Sequence, residues 1–275
     1  MSRQVPDGYG RGMVRAGESL GFDQAVGYYD RTRALPAEAS QAVTGLLAAE
    51  LRDHGPALEI GAGTGRIALP LRDEGIDLVG ADLSTAMLTQ LVSNAGGDVP
   101  FPLVGADATA LPFGAGSFGS ALACHVLHLI PNWQAALAEI VRVLRPGGVF
   151  LSDLGGWGRV YGEPHRSILK RWAEVGGFSV GHRGVTDVSR VDEAMAELGW
   201  RSRELPVIYG IRSYTLAELL AALADGLWSC TWATPENTRR AAAEEIEPWV
   251  ESEFGDLAES RELKLEITWH AYEQD

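Results

Sequence analysis

The sequence predicts an α/β fold, in which a mostly parallel β-sheet is flanked by helices. Between about residue 57 and residue 154, short apolar runs alternate with segments of helical periodicity, which is the order typical of βαβ units. The run "SFGSALACHVL" is almost continuously apolar, as expected for a parallel strand that is buried on both faces. Three of the apolar runs end in Gly or Asp, so polar groups are expected to meet at one edge of the sheet.

Five strands and three helices are predicted in this part of the chain. The strand segments are "PALEI", "IDLVGAD", "FPLVGAD", "SFGSALACHVL" and "VFLSDL". The helix "GRIALPLRDEG" is expected to begin near Gly65 or Arg66, which leaves Pro70 in or just past the first turn. Ser84 is the predicted cap of "TAMLTQLVSNAG", and Asn132 begins "NWQAALAEIVRVLRPGG", which the Pro-Gly-Gly sequence ends.

The regular alternation of strand and helix segments ends after Asp153. Helical patterns dominate, and two strand-like segments, "SRELPVIYGIRSYT" and "RELKLEITWHAY", are expected to pair with each other around a helical insertion. The last helix is predicted to have Thr234 as its cap and Pro235 as its first residue. The predicted organisation is a flexible arm at 1–21, a core at 22–154, and a lobe at 155–275 that ends with the last two strands of the sheet.

Composition excludes several classes of partner. The 275 residues carry 23 Lys and Arg against 37 Asp and Glu, a formal net charge of −14, which disfavours nucleic acid. No apolar run reaches the roughly 18 residues that a membrane span needs, and the polar amino terminus does not resemble a signal peptide. Two isolated cysteines, Cys124 and Cys230, indicate reduced thiols, and a cytoplasmic location is expected.

The stretch "LEIGAGTGR" indicates a ligand-binding loop between the first strand and the first helix. Gly61, Gly63 and Gly65 remove side chains at the place where backbone N–H groups and a helix terminus favour an anionic ligand. A dinucleotide fingerprint would have a third glycine where this chain has Arg66, which argues against NAD. Asp82 and Asp107 end the next two strands, where carboxylates suit ribose hydroxyls and an exocyclic amino group of a nucleoside.

In these motifs the chain resembles the class I S-adenosylmethionine-dependent methyltransferases, in particular the small-molecule branch with ubiquinone- and menaquinone-type enzymes. The matching segments are "LEIGAGTGR", "GADLSTAML", "GADATALPF", "ALACHVLHLIPNW" and "VLRPGG", and the resemblance is strong over about residues 22 to 154. It implies a Rossmann-like sheet of seven strands, mostly parallel with the last strand antiparallel, and a helical lid in the carboxyl-terminal half. It also implies S-adenosylmethionine as cofactor and S-adenosylhomocysteine as product.

The resemblance assigns roles to individual residues. The loop Gly61, Ala62 and Gly63 would border the methionine part of the cofactor, with Glu59 supporting the loop. Asp82 would bind the ribose, Leu83 would lie under the adenine, and Asp107 and Ala108 would face the adenine amino edge. The remaining residues expected at the cofactor are Tyr29, Arg33, Met87 and His125.

The chemistry at the acceptor is less defined by the sequence. A base is needed only if the nucleophile carries a proton, and His128 and His165 are the candidates. No metal is expected, because His125 and His128 have no evident third ligand. An aromatic-rich carboxyl-terminal half favours a lid over an apolar or aromatic small molecule, although the same aromatic residues could simply pack the lobe. A monomer and a homodimer both stay open.

Three functions follow in order of preference. The first is an enzyme that transfers a methyl group from S-adenosylmethionine to an O, N or C atom of a small metabolite. The second is a catalytically silent S-adenosylmethionine-binding module that acts through a partner. The third is an NAD-dependent oxidoreductase, which Arg66 disfavours.

Overall fold

The computed structural model describes residues 22–154, 163–178 and 181–274, and the predicted arm at 1–21 lies outside them. Nine strands occur in these ranges. They are β1 (Ala57–Ile60), β2 (Leu78–Asp82), β3 (Leu103–Gly105), β4 (Phe118–Cys124), β5 (Leu144–Asp153), β6 (Trp200–Glu204), β7 (Ile208–Tyr214), β8 (Arg261–Ile267) and β9 (His270–Gln274).

Of the helices in the described residues, those at Ala68–Asp73, Thr85–Asn94 and Trp133–Val143 fall in the predicted core segments, whereas Ala37–Leu51 was not predicted. The helices are α1 (Tyr29–Arg33), α2 (Ala37–Leu51), α3 (Ala68–Asp73), α4 (Thr85–Asn94), α5 (Trp133–Val143), α6 (His165–Gly176), α7 (Val188–Glu197), α8 (Leu216–Ala224) and α9 (Glu236–Phe254). Pro70 is the third residue of α3, where a missing N–H costs no helical bond. Short 3-10 turns lie at Asp23–Ala25, Leu127–Leu129 and Ser229–Thr231.

The main sheet has seven strands in the order β3-β2-β1-β4-β5-β9-β6. The pairings from β3 through to β5 are parallel, and β9 runs antiparallel to both of its neighbours. This confirms the predicted fold class. Every residue of β4 is buried, as its apolar sequence predicts for a central strand.

The two strand segments of the carboxyl-terminal half differ from their prediction. Each divides into two strands, so that β6 and β9 join the main sheet while β7 and β8 form a separate two-stranded sheet. The breaks lie side by side, because Leu205 N–H donates to the carbonyl of Trp269 at 2.8 Å. The helices α8 and α9 lie between β7 and β8 in the chain, which is the predicted insertion.

Apolar side chains form three clusters. One lies on the sheet face covered by α2, α3 and α4, and a second on the face covered by α5 and α7. A third cluster holds α6, α8 and α9 together as a helical lobe.

Helix boundaries follow the predicted caps with small shifts. The Ser84 hydroxyl accepts the N–H of Met87 at 3.1 Å, as expected. Asn132 holds the cap position of α5 without a side-chain bond. The last helix begins one residue later than predicted, with Pro235 and not Thr234 at its cap.

Candidate functional site

A cavity of about 670 Å³ opens at the carboxyl ends of β1, β2 and β4. This is the edge of a parallel sheet at which ligands bind in folds of this type, next to the point where the strand order reverses. The predicted residues on its wall are Tyr29, Gly61, Gly63, Asp82, Leu83, Met87, Asp107, Ala108 and His125. The other residues that line it are mostly apolar.

The glycine loop has a backbone that other residues would not adopt easily. Gly61 has φ +70°, and a Cβ there would lie 2.7 Å from the Cγ2 of Val126. Gly63 has φ +55°, and its nearest neighbour would be 3.7 Å away, so its open side faces the cavity. The first glycine is therefore required by close packing, and the second leaves room for a ligand against the backbone.

Asp82 holds the loop and the next helix in place. Its Oδ2 accepts the N–H of Gly63 at 2.8 Å, and its Oδ1 accepts the N–H of Ser84 at 2.7 Å. Burial raises the pKa of this carboxyl, and the two amide bonds oppose that shift. Each oxygen carries a second acceptor position, which suits a pair of hydroxyl groups.

Asp107 lies two residues after the third strand and is restrained in a similar way. Its Oδ1 accepts both the backbone N–H and the hydroxyl of Thr109, at 2.9 and 2.8 Å. Ala108 beside it is buried in the cavity wall.

Glu59 and Arg66 are two buried ionisable residues behind the loop. Burial raises the pKa of Glu59 to about 8, against the attraction of Arg66, and its Oε2 is buried without a partner among the described residues. Arg66 donates from its Nη2 to the Sγ of Cys124 at 3.2 Å. Burial raises the pKa of the Cys124 thiol to about 12, so this thiol stays protonated.

The segment before α2 closes the cavity on the side away from the sheet. Phe22 and Tyr29 lie on the wall, and their rings meet edge to face at 5.9 Å. Asp30 accepts the hydroxyl of Thr64 and, at 2.9 Å, the side-chain amide of Asn94, so α1 is tied to the glycine loop. Burial raises the pKa of the Tyr29 phenol, which keeps it neutral.

A second cavity of about 1770 Å³ adjoins the first. Phe22, Tyr29, Cys124 and His125 line both cavities, so they form a shared wall. The second cavity also has apolar side chains from several elements: Leu35, Val43, Ile67, Leu154, Val188, Leu265, Ile267 and Trp269.

Three predicted cofactor residues do not line the first cavity. Ala62 is buried within the glycine loop, and Glu59 lies behind it. Arg33 lines the second cavity, and its Nη2 donates to the carbonyl of Leu227 at 3.4 Å. The resemblance implies that Arg33 pairs with the carboxylate of the cofactor; this stays a prediction, which the position of Arg33 does not favour.

The two predicted base candidates have different surroundings. His128 lines the second cavity with its ring 4.9 Å from that of His182, and burial lowers the pKa of His128 well below its ordinary value. His165 begins α6 and packs against the ring of Tyr214 at 4.5 Å, with its pKa lowered to about 4 by burial. Neither cavity has His165 among its described lining residues.

Sequence reasoning missed Asp153 as a site residue. It ends β5 directly beside Cys124 of β4, and its Oδ2 lies 3.0 Å from the Nε2 of His125. An acidic residue at the end of the fifth strand was the available signal. Ligand atoms of Cys124, His125 and Asp153 lie within 4.8 Å of one another, but the Arg66 guanidinium bonded to the thiol makes this set unsuited to a cation.

The aromatic residues of the carboxyl-terminal half serve mainly the lobe. Trp172 and Trp228 are buried in the helical cluster, and Trp249 packs against it. Of the tryptophans in the described part of that half, Trp269 lines the second cavity. Trp157 and Tyr161 lie outside the described residues.

The first cavity fits S-adenosylmethionine in its chemistry. The orphaned Oε2 of Glu59 is an acceptor suited to an ammonium group near the glycine loop. Asp82 offers acceptors for two ribose hydroxyls, and Leu83, 42% exposed, offers an apolar surface to a base. Gly61, Gly63, Asp82, Leu83, Asp107 and Ala108 line the cavity and would hold this cofactor, with Glu59 behind the loop.

Comparison with known proteins agrees with this geometry. Residues 58–152 match the family model described as a methyltransferase domain. The chain is 40% identical over 91 residues to a demethylmenaquinone methyltransferase from Beutenbergia cavernae, which is 33% of this chain and 37% of that protein. The chain therefore spans little more than a third of the length of such relatives.

Solved structures share the fold at low identity. A phosphoethanolamine N-methyltransferase from Haemonchus contortus, in complex with phosphomonomethylethanolamine and S-adenosylhomocysteine, has a TM-score of 0.53 and 17% identity, covering 92% of this chain and 57% of that one. An S-adenosylmethionine-dependent methyltransferase from Thermotoga maritima has a TM-score of 0.51 and 16% identity, covering 92% and 98%.

The sheet order, the glycine loop with its two acidic neighbours, and the family match agree with one another. Residues 58–152 match the methyltransferase-domain model, and the fold around them is shared with solved methyltransferase structures.

Proposed function

We propose that this protein transfers the methyl group of S-adenosylmethionine to a small molecule. The observation that carries the proposal is the shared wall between the two cavities, because a methyl donor in the first cavity would meet an acceptor in the second. In an in-line displacement the protein mainly aligns the two reactants and excludes water. A module that only binds the cofactor has no use for a second cavity of about 1770 Å³ beside it.

The acceptor that fits the second cavity is a small molecule with an apolar or aromatic body. Its wall combines aliphatic side chains and Trp269 with imidazoles and with charged side chains, among them Arg33, Arg212 and Glu266. The apolar part of such a lining binds the body of a small molecule, and the polar groups fix its orientation. The proposed partner is therefore a metabolite and not a nucleic acid, and the cytoplasm stays the expected location. Among the described residues, no helix has the length and apolarity to cross a bilayer.

The first experiment is a calorimetric titration of the protein with S-adenosylhomocysteine and, separately, with NAD. We expect binding of the first and no response to the second, because Arg66 stands where a dinucleotide loop needs its third glycine. No binding of S-adenosylhomocysteine would overturn both the enzyme and the silent module. A labelled-methyl screen against a metabolite library then separates these two, since only the enzyme gives labelled product.

The Asp82→Asn variant tests the ribose assignment in the same titration. Asparagine keeps the shape of the side chain but loses the charge and one acceptor, so that it can accept the N–H of Gly63 or of Ser84 but not both, and affinity should fall by about tenfold or more. The exposed Asp98→Asn is the matched control and should bind as the wild type does. An unchanged affinity of Asp82→Asn would refute the assignment.

A further inference from the structure

The shared wall contains one side chain suited to moving a proton. Phe22 has no ionisable group, and the raised pKa values of Tyr29 and Cys124 keep both protonated near neutrality. The fourth member is His125, and imidazole is the side-chain type that exchanges protons readily at neutral pH. A proton leaving an acceptor at this wall would therefore go to His125.

His125 is held in a fixed orientation by Asp153. Its Nε2 lies 3.0 Å from the Asp153 carboxylate, and its backbone N–H donates to the Asp153 carbonyl at 2.8 Å. The Asp153 side chain is 10% exposed, whereas the imidazole is 32% exposed towards the cavities. The carboxylate bond places the imidazole proton on Nε2, which leaves Nδ1 as the nitrogen that can accept a proton.

The backbone at His125 has an uncommon conformation. Its φ of +54° is the one positive value among the described residues other than glycine. Glycine would satisfy a turn at this position at lower cost, so the imidazole itself has a use there. The conformation ends β4 and directs the next residues into the turn that carries His128.

The charges around the pair suit a transient imidazolium. Asp153 is bonded to His125 and also attracts the buried guanidinium of Arg66, so its carboxylate can balance this permanent cation and a transient one on His125. Burial keeps His128 neutral, so it adds no competing charge. A base of this kind is required for a hydroxyl, which loses a proton, but not for an amine that offers a free lone pair.

We propose that His125 is the general base for methylation of a hydroxyl acceptor, with Asp153 as its positioning residue. This proposal rests on the proposed function. The bond from the acceptor oxygen to the methyl carbon forms as the sulfur–methyl bond breaks, and the electron pair of that bond stays on sulfur. The hydroxyl proton passes to Nδ1 of His125 and then to water. The product is a methyl ether.

The tautomer of His125 can be measured without an acceptor. In the full chain labelled with ¹⁵N-histidine, the signals missing from His125→Asn identify His125, and asparagine is suited to the left-handed backbone there. We expect the Nε2–H tautomer in the wild type and a mixture in Asp153→Asn. A wild-type signal with the proton on Nδ1 would overturn the proposal.

The labelled-methyl screen supplies the second test of the proposal. We expect its products to be methyl ethers, and products methylated only on nitrogen or carbon would overturn the His125 proposal while leaving the methyltransferase assignment intact. An absence of any product would overturn both. With the acceptor found, His125→Asn should lower kcat at saturating cofactor by about a hundredfold or more while the KM for the acceptor stays within about threefold.

The control for this test is His54→Asn, which changes a histidine that lines neither cavity and should retain full activity. Added imidazole is expected to restore part of the activity of His125→Ala, because it can occupy the vacated space and accept the proton. An activity of His125→Asn equal to that of the control would contradict the proposal. So would loss of wild-type activity on EDTA treatment with recovery on adding Zn²⁺.

Discussion

Glu59 shows how one buried residue can couple stability to pH. Its carboxyl lies under the glycine loop, where burial raises its pKa from 4.5 to about 8. Between these values the unfolded chain releases a proton that the folded protein keeps. The free energy of unfolding therefore falls as the pH rises from about 4.5 to about 8. The Oε2 of Glu59 beneath the loop has no hydrogen-bond partner among the described residues.

The Glu59→Gln variant should remove this pH dependence, because glutamine has no proton to lose. In the absence of cofactor, the difference in free energy of unfolding between Glu59→Gln and the wild type should shift in favour of the variant by about 2 kcal/mol from pH 6 to pH 8. Urea unfolding at the two pH values measures the difference. The exposed Glu244→Gln serves as control and should show no such increase. A wild type and a Glu59→Gln variant with parallel pH profiles would show that Glu59 is ionised in the folded state.

Single residues also show what sequence reasoning about the site could reach. The first cavity is lined by short segments in which a strand leads directly into a loop, so local patterns could place Gly61, Asp82 and Asp107 together, and their role at a cofactor stays a prediction. Asp153 and Cys124 were missed because their importance comes from the pairing of β4 with β5, which no local pattern shows. Arg66 was used only as evidence against NAD, and its hydrogen bond to the Cys124 thiol was not predicted.

At the scale of elements, the alternation of strands and helices predicted the parallel core well. The carboxyl-terminal strands were predicted as two because their apolar alternation runs on without an obvious interruption. Pro206 breaks the first of them, since proline cannot donate a ladder bond, and the chain leaves one sheet for another there. Alternation indicates that a segment is extended, but it does not indicate which strand it pairs with.

Two glycine substitutions test how the elements pack. Gly119 in β4 has no space for a side chain, because a Cβ would lie 1.3 Å from the carbonyl oxygen of His54. Gly119→Ala should therefore shift the backbone and destabilise the protein by about 3 kcal/mol or more.

Gly45 in α2 has no neighbouring atom within 4 Å of the place that a Cβ would take, so Gly45→Ala should stabilise by about 0.5–1 kcal/mol.

Chemical denaturation of both glycine variants gives the comparison, with circular dichroism to establish that each is folded. A Gly119→Ala protein as stable as the wild type would mean that the start of β4 and the turn before β1 are further apart than the structure places them. A destabilised Gly45→Ala would point to a contact on α2 from another part of the chain.

At the scale of the whole molecule, the two cavities differ in how they are built. The first is formed mainly by consecutive strand–loop units of the core. The second is formed by segments distant in sequence, from the region before α2, from the end of β4, from the start of α7 and from the link between β8 and β9. Its shape depends on the complete fold, and for this reason the sequence predicted the methyl donor but not the acceptor.

The segment from Phe22 to Arg33 belongs to both cavities, and truncation tests its role. Phe22 and Tyr29 form part of the shared wall, Asp23 accepts the hydroxyl of Ser84, and Asp30 holds Thr64 and Asn94. Removing residues 1–33 should weaken S-adenosylhomocysteine binding by about tenfold or more, because the wall and its ties to the loop are lost together.

Removing only residues 1–21 is the matched control for that truncation. If these residues are the flexible arm that the sequence predicts, the shorter protein should bind S-adenosylhomocysteine within about twofold of the full chain. Calorimetry gives both affinities, and thermal unfolding with and without the ligand gives an independent measure, since a ligand that binds the folded state raises Tm. Equal losses of affinity in the two truncations would mean that residues 1–21, and not residues 22–33, contribute to S-adenosylhomocysteine binding. No loss in either would mean that the core alone forms the cofactor site.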